Sequence, residues 1–232
     1  LMPDGTVVNV YGEDIVAGGT VPYHPAARAR ASRVRAEIMQ DTGVTLPAHY
    51  PPVRSEFEAV LREPREVVQR FMSLVAVSEI AGFFCAESEP PLAEIRAVLP
   101  GAFETLTPTE QRFIELIESG VTPHTPSPSG DEARHLAFQL TWQVLAAQML
   151  AHALGIQELP EGEIRVDATS LAQWVADRGE AAIHEQATAL ISLPKLCDKY
   201  EFVHAMRWTA VDQEVNPERP ALIDEPTAGT LL

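Results

Sequence analysis

The stretch REPREVVQRFMSLVAVSEIAGFF, residues 62 to 84, limits the fold more than any other part of the chain. Pro64 stands near the first helical position, where its missing N–H costs nothing. Val67, Val68, Phe71, Leu74, Val75 and Val77 then follow at helical spacing. The second half of the stretch is apolar nearly all round, which a helix sustains only when other elements pack against every side. A chain built around such a segment is a multi-helix protein with this helix at its centre.

The rest of the sequence supplies helices to surround it. Ala27, Ala31, Val34 and Ile38 recur at i+4, i+3 and i+4, the stripe of an amphipathic helix from Pro25 to about Gly43. A short helix follows Pro91, and Thr107 with Pro108 and Glu110 forms a capping box for the next. Asp131 opens a long helix through Leu154, stopped by Gly155. Two more are predicted at about 169 to 177 and 180 to 192, and a last one from Pro194 to about Val215. GVTPHTPSPSG (120 to 130) is a loop prone to disorder, and LPAHYPPV is a proline-stiffened connector. One alternating segment, TVVNVYG (6 to 12), reads as a strand. The expectation is a mainly α fold, a single domain of about eight helices with a short N-terminal β-strand. Residues 1–22 form the strand and turn extension, and residues 23–232 the helical domain, with its core on helices 64 to 83, 131 to 154 and 195 to 214.

Charge narrows the partners. Seventeen basic residues face 33 acidic ones, a formal net charge of −16. Such a chain repels nucleic-acid phosphates and the anionic inner leaflet, so neither nucleic acid nor a membrane surface is expected as a partner. The first residues show no basic n-region with a long apolar core, so no secretory signal is expected. LTWQVLAAQMLAHALGI (140 to 156) falls short of the roughly 20 apolar residues a bilayer needs. Cys85 and Cys197 stand far apart and outside any metal-binding spacing, which suits a reducing, cytoplasmic setting and two buried, inert thiols.

The most reactive-looking segment is CDKYEFVHAMRWTAVD, residues 197 to 212. At about 100° per residue, Leu196, Tyr200, Val203, Ala210 and Val211 cluster as a buried stripe, while Asp198, Glu201, Thr209 and Asp212 fall opposite it as a solvated acidic face. Trp208 and His204 lie at the border. Arg207 projects into the stripe, where a guanidinium must snorkel or find a carboxylate. The sharper alternative is that Asp198, Glu201, Arg207, Trp208 and Asp212, with Trp142 from the long helix, line a polar binding pocket.

Other chemistries are weaker. Glu132/His135 and Glu201/His204 have the Glu-x-x-His spacing of di-iron bundles, but pairs of this kind arise readily by chance, and no metal or other cofactor is predicted. HEQAT (184 to 188) starts like a zincin helix, but Thr188 replaces the second histidine. No phosphate-binding loop or nucleophile elbow occurs. Cys197 and His204 are about 10 Å apart along a helix, too far for thiolate activation. His152 reads as a hydrogen-bonded core histidine. Arg28, Arg30, Arg33 and Arg35 flank and oppose the Ala27/Val34 stripe and are expected to solubilise their helix while pairing with nearby acids. No catalytic residue is therefore predicted.

Taken in order, TWQVLAAQMLAHALGIQELP, LREPREVVQRFMSLVAVSEIA, LTPTEQRFI and LCDKYEFVHAMRWTAVD resemble successive helices of a bacterial family known as domain of unknown function 4272, over roughly residues 26 to 225. The chain departs from the family pattern at Trp142-Gln143-Val144-Leu145, where Trp-Arg-x-Glu is frequent, and at His204-Ala205, where Tyr-Arg is frequent. The resemblance implies an α-helical fold and no particular activity. The functional expectation is a non-catalytic interaction or ligand-binding module for a protein or small molecule. One alternative is a hydrolase or metal-dependent enzyme with a site between the Trp142 and Trp208 helices. Another is an immunity-like protein that binds a basic partner.

Overall fold

The computed structural model describes residues 23–46, 50–158, 168–218 and 223. Among these residues there are eight α-helices and one 3-10 turn. The strand expected at 6 to 12, with the rest of the N-terminal extension, lies outside the described residues. Where the sequence suggests one helical domain, the chain divides into two compact units, 1–60 with 192–232 and 61–191.

The first unit is built on α1 (Pro25–Thr42) and α8 (Leu193–Val215), which pack together. Helix α1 begins where His24 Nδ1 accepts from the Ala26 N–H. It ends at Gly43, whose φ of 74° lets its N–H reach back to Met39. Ala27, Ala31, Val34 and Ile38 are all buried, as their spacing predicts. Helix α8 corrects the prediction for its own faces. Its buried residues are Cys197, Glu201, Ala205, Met206, Thr209 and Ala210; Ala210 is buried as expected, but the rest lie on a side nearly opposite to the predicted stripe. Tyr200 is 58% exposed and Val211 40%. Cys197, Ala205, Thr209 and Ala210 are small, so this face permits close helix approach, and the one large polar group on it finds a partner.

The second unit surrounds α2 (Pro64–Cys85), which packs on α5 (Pro128–Thr141), α6 (Gln143–Ala153) and α7 (Ala168–Gln186). Helix α2 passes a bilayer-crossing test of length and composition, yet it is mostly buried within the protein. Its first half, from Val68 to Ala76, shares a core with Ala147, Ala151, Leu171, Val175 and Ile183. Its second half packs Phe84 edge-on against Phe113 at 5.8 Å, beside Leu116 and Ala137. Helix α3 (Leu92–Val98) leads to the 3-10 turn Pro100–Phe103, and α4 (Pro108–Glu118) carries the predicted Thr107/Glu110 capping box.

Two local breaks place side chains. The single long helix expected from 131 to 154 is two helices meeting at Trp142, where the Leu145 N–H donates three residues back to Trp142 O. Tightening that turn redirects the chain, so both α5 and α6 lie against α2. Gly179, with φ 70° and ψ 164°, interrupts α7 between the two helices expected there. Such backbone values are tolerated essentially by glycine alone. The loop 120–130 is tied down: the Thr122 N–H donates to Thr125 Oγ1, Arg134 donates to Pro123 O, and Ser127 caps α5.

Candidate functional site

Among the described residues, the largest concentration of buried charge lies in the first unit. Glu201, fully buried, faces α1 and accepts from Arg30 Nε at 3.2 Å, Tyr50 OH at 2.7 Å and the Val53 N–H at 3.2 Å. Arg30 also donates to Val53 O, Arg54 O and Glu56. The pair thus staples the segment 50–56 onto the two helices. Burial, then the bond to Glu201, raises the Tyr50 phenol above its usual range, so it stays a proton donor. Every partner is engaged, which is the condition under which a buried ion pair is tolerated at all.

This arrangement corrects three expectations. Glu201 and Thr209 are sealed inside and do not form a solvated face. Arg207 is exposed and does not project into the core. Arg30 is buried, so it does not solubilise α1. A signal for Arg30 was present in the sequence: it falls three residues after Ala27 and four before Val34, on the apolar stripe itself. A guanidinium at that position must snorkel or find a carboxylate, and Arg30 finds Glu201. The contributions of Tyr50, Val53 and Glu56 carried no such signal, because they come from an irregular segment.

The remaining members of the candidate pocket are dispersed. Asp198 is partly exposed and pairs with Arg33, which raises the arginine's pKa further. Trp208 meets the Tyr50 ring edge-on at 6.2 Å, and His204 lies 5.5 Å from the same ring. The Arg35 guanidinium stands 5.8 Å over Tyr50, with its buried Nε lacking a hydrogen-bond partner among the described residues. Asp212 accepts from Asn216 Nδ2 at 2.9 Å. Trp142 belongs to the second unit, where it is 49% exposed at the α5–α6 break. The space around Glu201 is therefore occupied by the protein's own Arg30 and Tyr50.

The second unit repeats the motif. Arg70 grips Glu110 with two bonds of 2.7 and 2.8 Å, while the Thr107 N–H donates to the same carboxylate. Burial opposes the charge on Glu110, but these donors outweigh it and hold the carboxyl below its usual range. Glu132 pairs with Arg112, and His135 with Gln139. Among the described residues no group of three or more His, Cys, Asp or Glu side chains is placed to hold a metal ion. His184 lies 3.9 Å from Glu180, which accepts from the Gly101 N–H at 2.8 Å. Both line an open groove of about 690 Å3 with Gln69, Glu104 and Thr188. Cys197 is buried as expected, whereas Cys85 is exposed, at the solvated end of α2.

A different environment exists between α2, α3 and α7. There Val75, Ala76, Ile95, Leu99, Ala172 and Val175 help line a cavity of about 260 Å3. Two carboxylates, Glu79 and Glu94, also line it. Burial pushes the Glu79 carboxyl above its usual range, and no hydrogen-bond or ion-pair partner accompanies it among the described residues.

The fold and its buried charges define a mainly helical protein of two units, each closed by an arginine–glutamate pair. The chain belongs to the family described as Domain of unknown function (DUF4272), whose model matches residues 30–228. No curated protein and no solved structure matches it.

Proposed function

We propose that the chain is an interaction or ligand-binding module without catalysis, and that its second unit carries the ligand contact. One observation supports this above others: Glu110 and Glu201, both fully buried, are each held by an arginine and a backbone N–H. A carboxylate whose oxygens are engaged by the protein's own donors is poorly placed to exchange protons with a substrate. The Glu79 cavity, by contrast, offers apolar walls with few polar groups, the composition of a small-molecule site. A cytoplasmic setting is part of the reading, and the free thiols Cys85 and Cys197, one of them exposed, favour it.

The test is titration of 15N-labelled protein with a fragment collection, following the amides and the ligand signals together. Saturable shifts confined to one unit, with every ligand recovered unchanged, are the expected result. Conversion of a ligand that stops on replacing Glu180 or His184 by Gln would instead establish an enzyme.

A further inference from the structure

The geometry points to the cavity between α2, α3 and α7 as a binding site for a small apolar ammonium ion, its body against the cavity wall and its charge beside Glu79. This inference rests on the ligand-binding reading and names the ligand's chemistry.

Size is the first constraint. At about 260 Å3 the cavity lies just below the usual range for ligand pockets, so it suits a compact body of about eight to ten non-hydrogen atoms. Its walls are chiefly aliphatic and alanine side chains from three helices, with Phe83 and Pro91 completing them. An apolar body is what such walls reward.

Charge is the second. Glu79 and Glu94 line the cavity, and no Lys, Arg or His does. Glu110, fully buried, has Arg70 as a donor, and Glu180, half-buried, has the Gly101 N–H. Glu79 has neither an ion-pair nor a hydrogen-bond partner among the described residues. A neutral ligand would cover Glu79 without pairing it, leaving a desolvated carboxylate. An anion would meet two like charges. A hard divalent cation asks for six or more oxygens, and an aliphatic wall does not supply them. A primary ammonium needs only three acceptors. Glu79 and Glu94 provide two, and Gln173, which also lines the cavity and whose amide nitrogen donates to Asp177 at 2.6 Å, carries an amide oxygen free to serve as a third.

The experiment compares three probes of one shape on the full chain: cyclohexylmethylamine, cyclohexylmethanol and cyclohexanecarboxylate. Each is titrated while the amide signals of Ala76, Ile95, Val98, Leu99, Ala172 and Ala176 are followed. The amine is expected to shift these signals saturably and to bind at least about tenfold more tightly than the alcohol, with the carboxylate weakest. Glu79→Gln is expected to reduce amine affinity by about tenfold and leave alcohol affinity unchanged. Alcohol binding as tight as the amine, or an unaltered amine affinity in Glu79→Gln, overturns the ammonium site while leaving the ligand-binding reading intact. Absence of shifts at these residues with all three probes also overturns it. The broader reading then stands or falls on the fragment titration. Val98→Trp, which enlarges a lining side chain contributed by α3, is a second check: it should block the amine while leaving Glu79 in place.

Discussion

Glu79 and Glu110 sit on neighbouring helices of one unit and titrate in opposite directions. Glu79 is desolvated without a donor, so its folded carboxyl is raised above 4.5 and the folded state holds the extra proton. Its contribution to stability is fully present below that value and falls as pH rises through the raised one. Glu79→Gln should therefore raise the melting temperature at pH 7 by a few degrees at most and change nothing at pH 4. Glu110 is the reverse case: its carboxyl is held below 4.5, so the unfolded chain takes the proton first. Stability is present above 4.5 and is lost as pH falls through the lowered value. Glu110→Gln should cost about 3 kcal/mol at pH 7, the low end for a broken buried pair because Arg70 is 31% exposed. Its urea midpoint should also fall less on acidification than that of the parent chain. Neither environment is written in the local sequence. Glu110 is legible as a capping-box residue, but its arginine lies 40 positions away, and Glu79 looks like any polar residue on a helix.

At the scale of the element, what was legible was what local chemistry decides. Pro25, Pro64 and Pro108 open their helices, Gly43 closes α1, and the Thr107 box forms as its spacing requires. The break at Trp142 was not legible, since no proline or glycine marks it and contact of both halves with α2 decides it. The inward face of α8 was misread for a related reason. Summed apolarity favours Tyr200 and Val211, whereas packing against α1 favours the small residues flanking Glu201. Glycines test the element geometry directly. A Cβ on Gly101 would lie 2.3 Å from Glu180 Oε1, so Gly101→Ala should break the bond between that carboxylate and the Gly101 N–H. Gly179→Ala meets open space but an unfavourable backbone, and should cost about 1–3 kcal/mol. Circular dichroism melts of the two variants would show both losses. Relief of the first by Glu180→Ala, and not of the second, would separate collision from strain.

For the molecule as a whole, the helical class was legible because α2 cannot exist without neighbours, and the order of helices carried the family likeness. The division into two units and the Glu79 cavity were not, since each is made by residues far apart in the chain. The same holds for the staple in which Arg30 and Glu201 meet across 171 positions. That staple gives the buried acid of the most reactive-looking segment, Glu201, a structural role. Residues kept for function tend to be replaced with a gain in stability, and structural ones with a loss. The decisive measurement is equilibrium denaturant unfolding of Glu201→Ala beside Asp198→Ala. The expected loss is about 3–5 kcal/mol for the first, which strands Arg30, Tyr50 and the Val53 N–H, and under about 1 kcal/mol for the second, an exposed pair. A Glu201→Ala protein as stable as the parent, or more so, would contradict it.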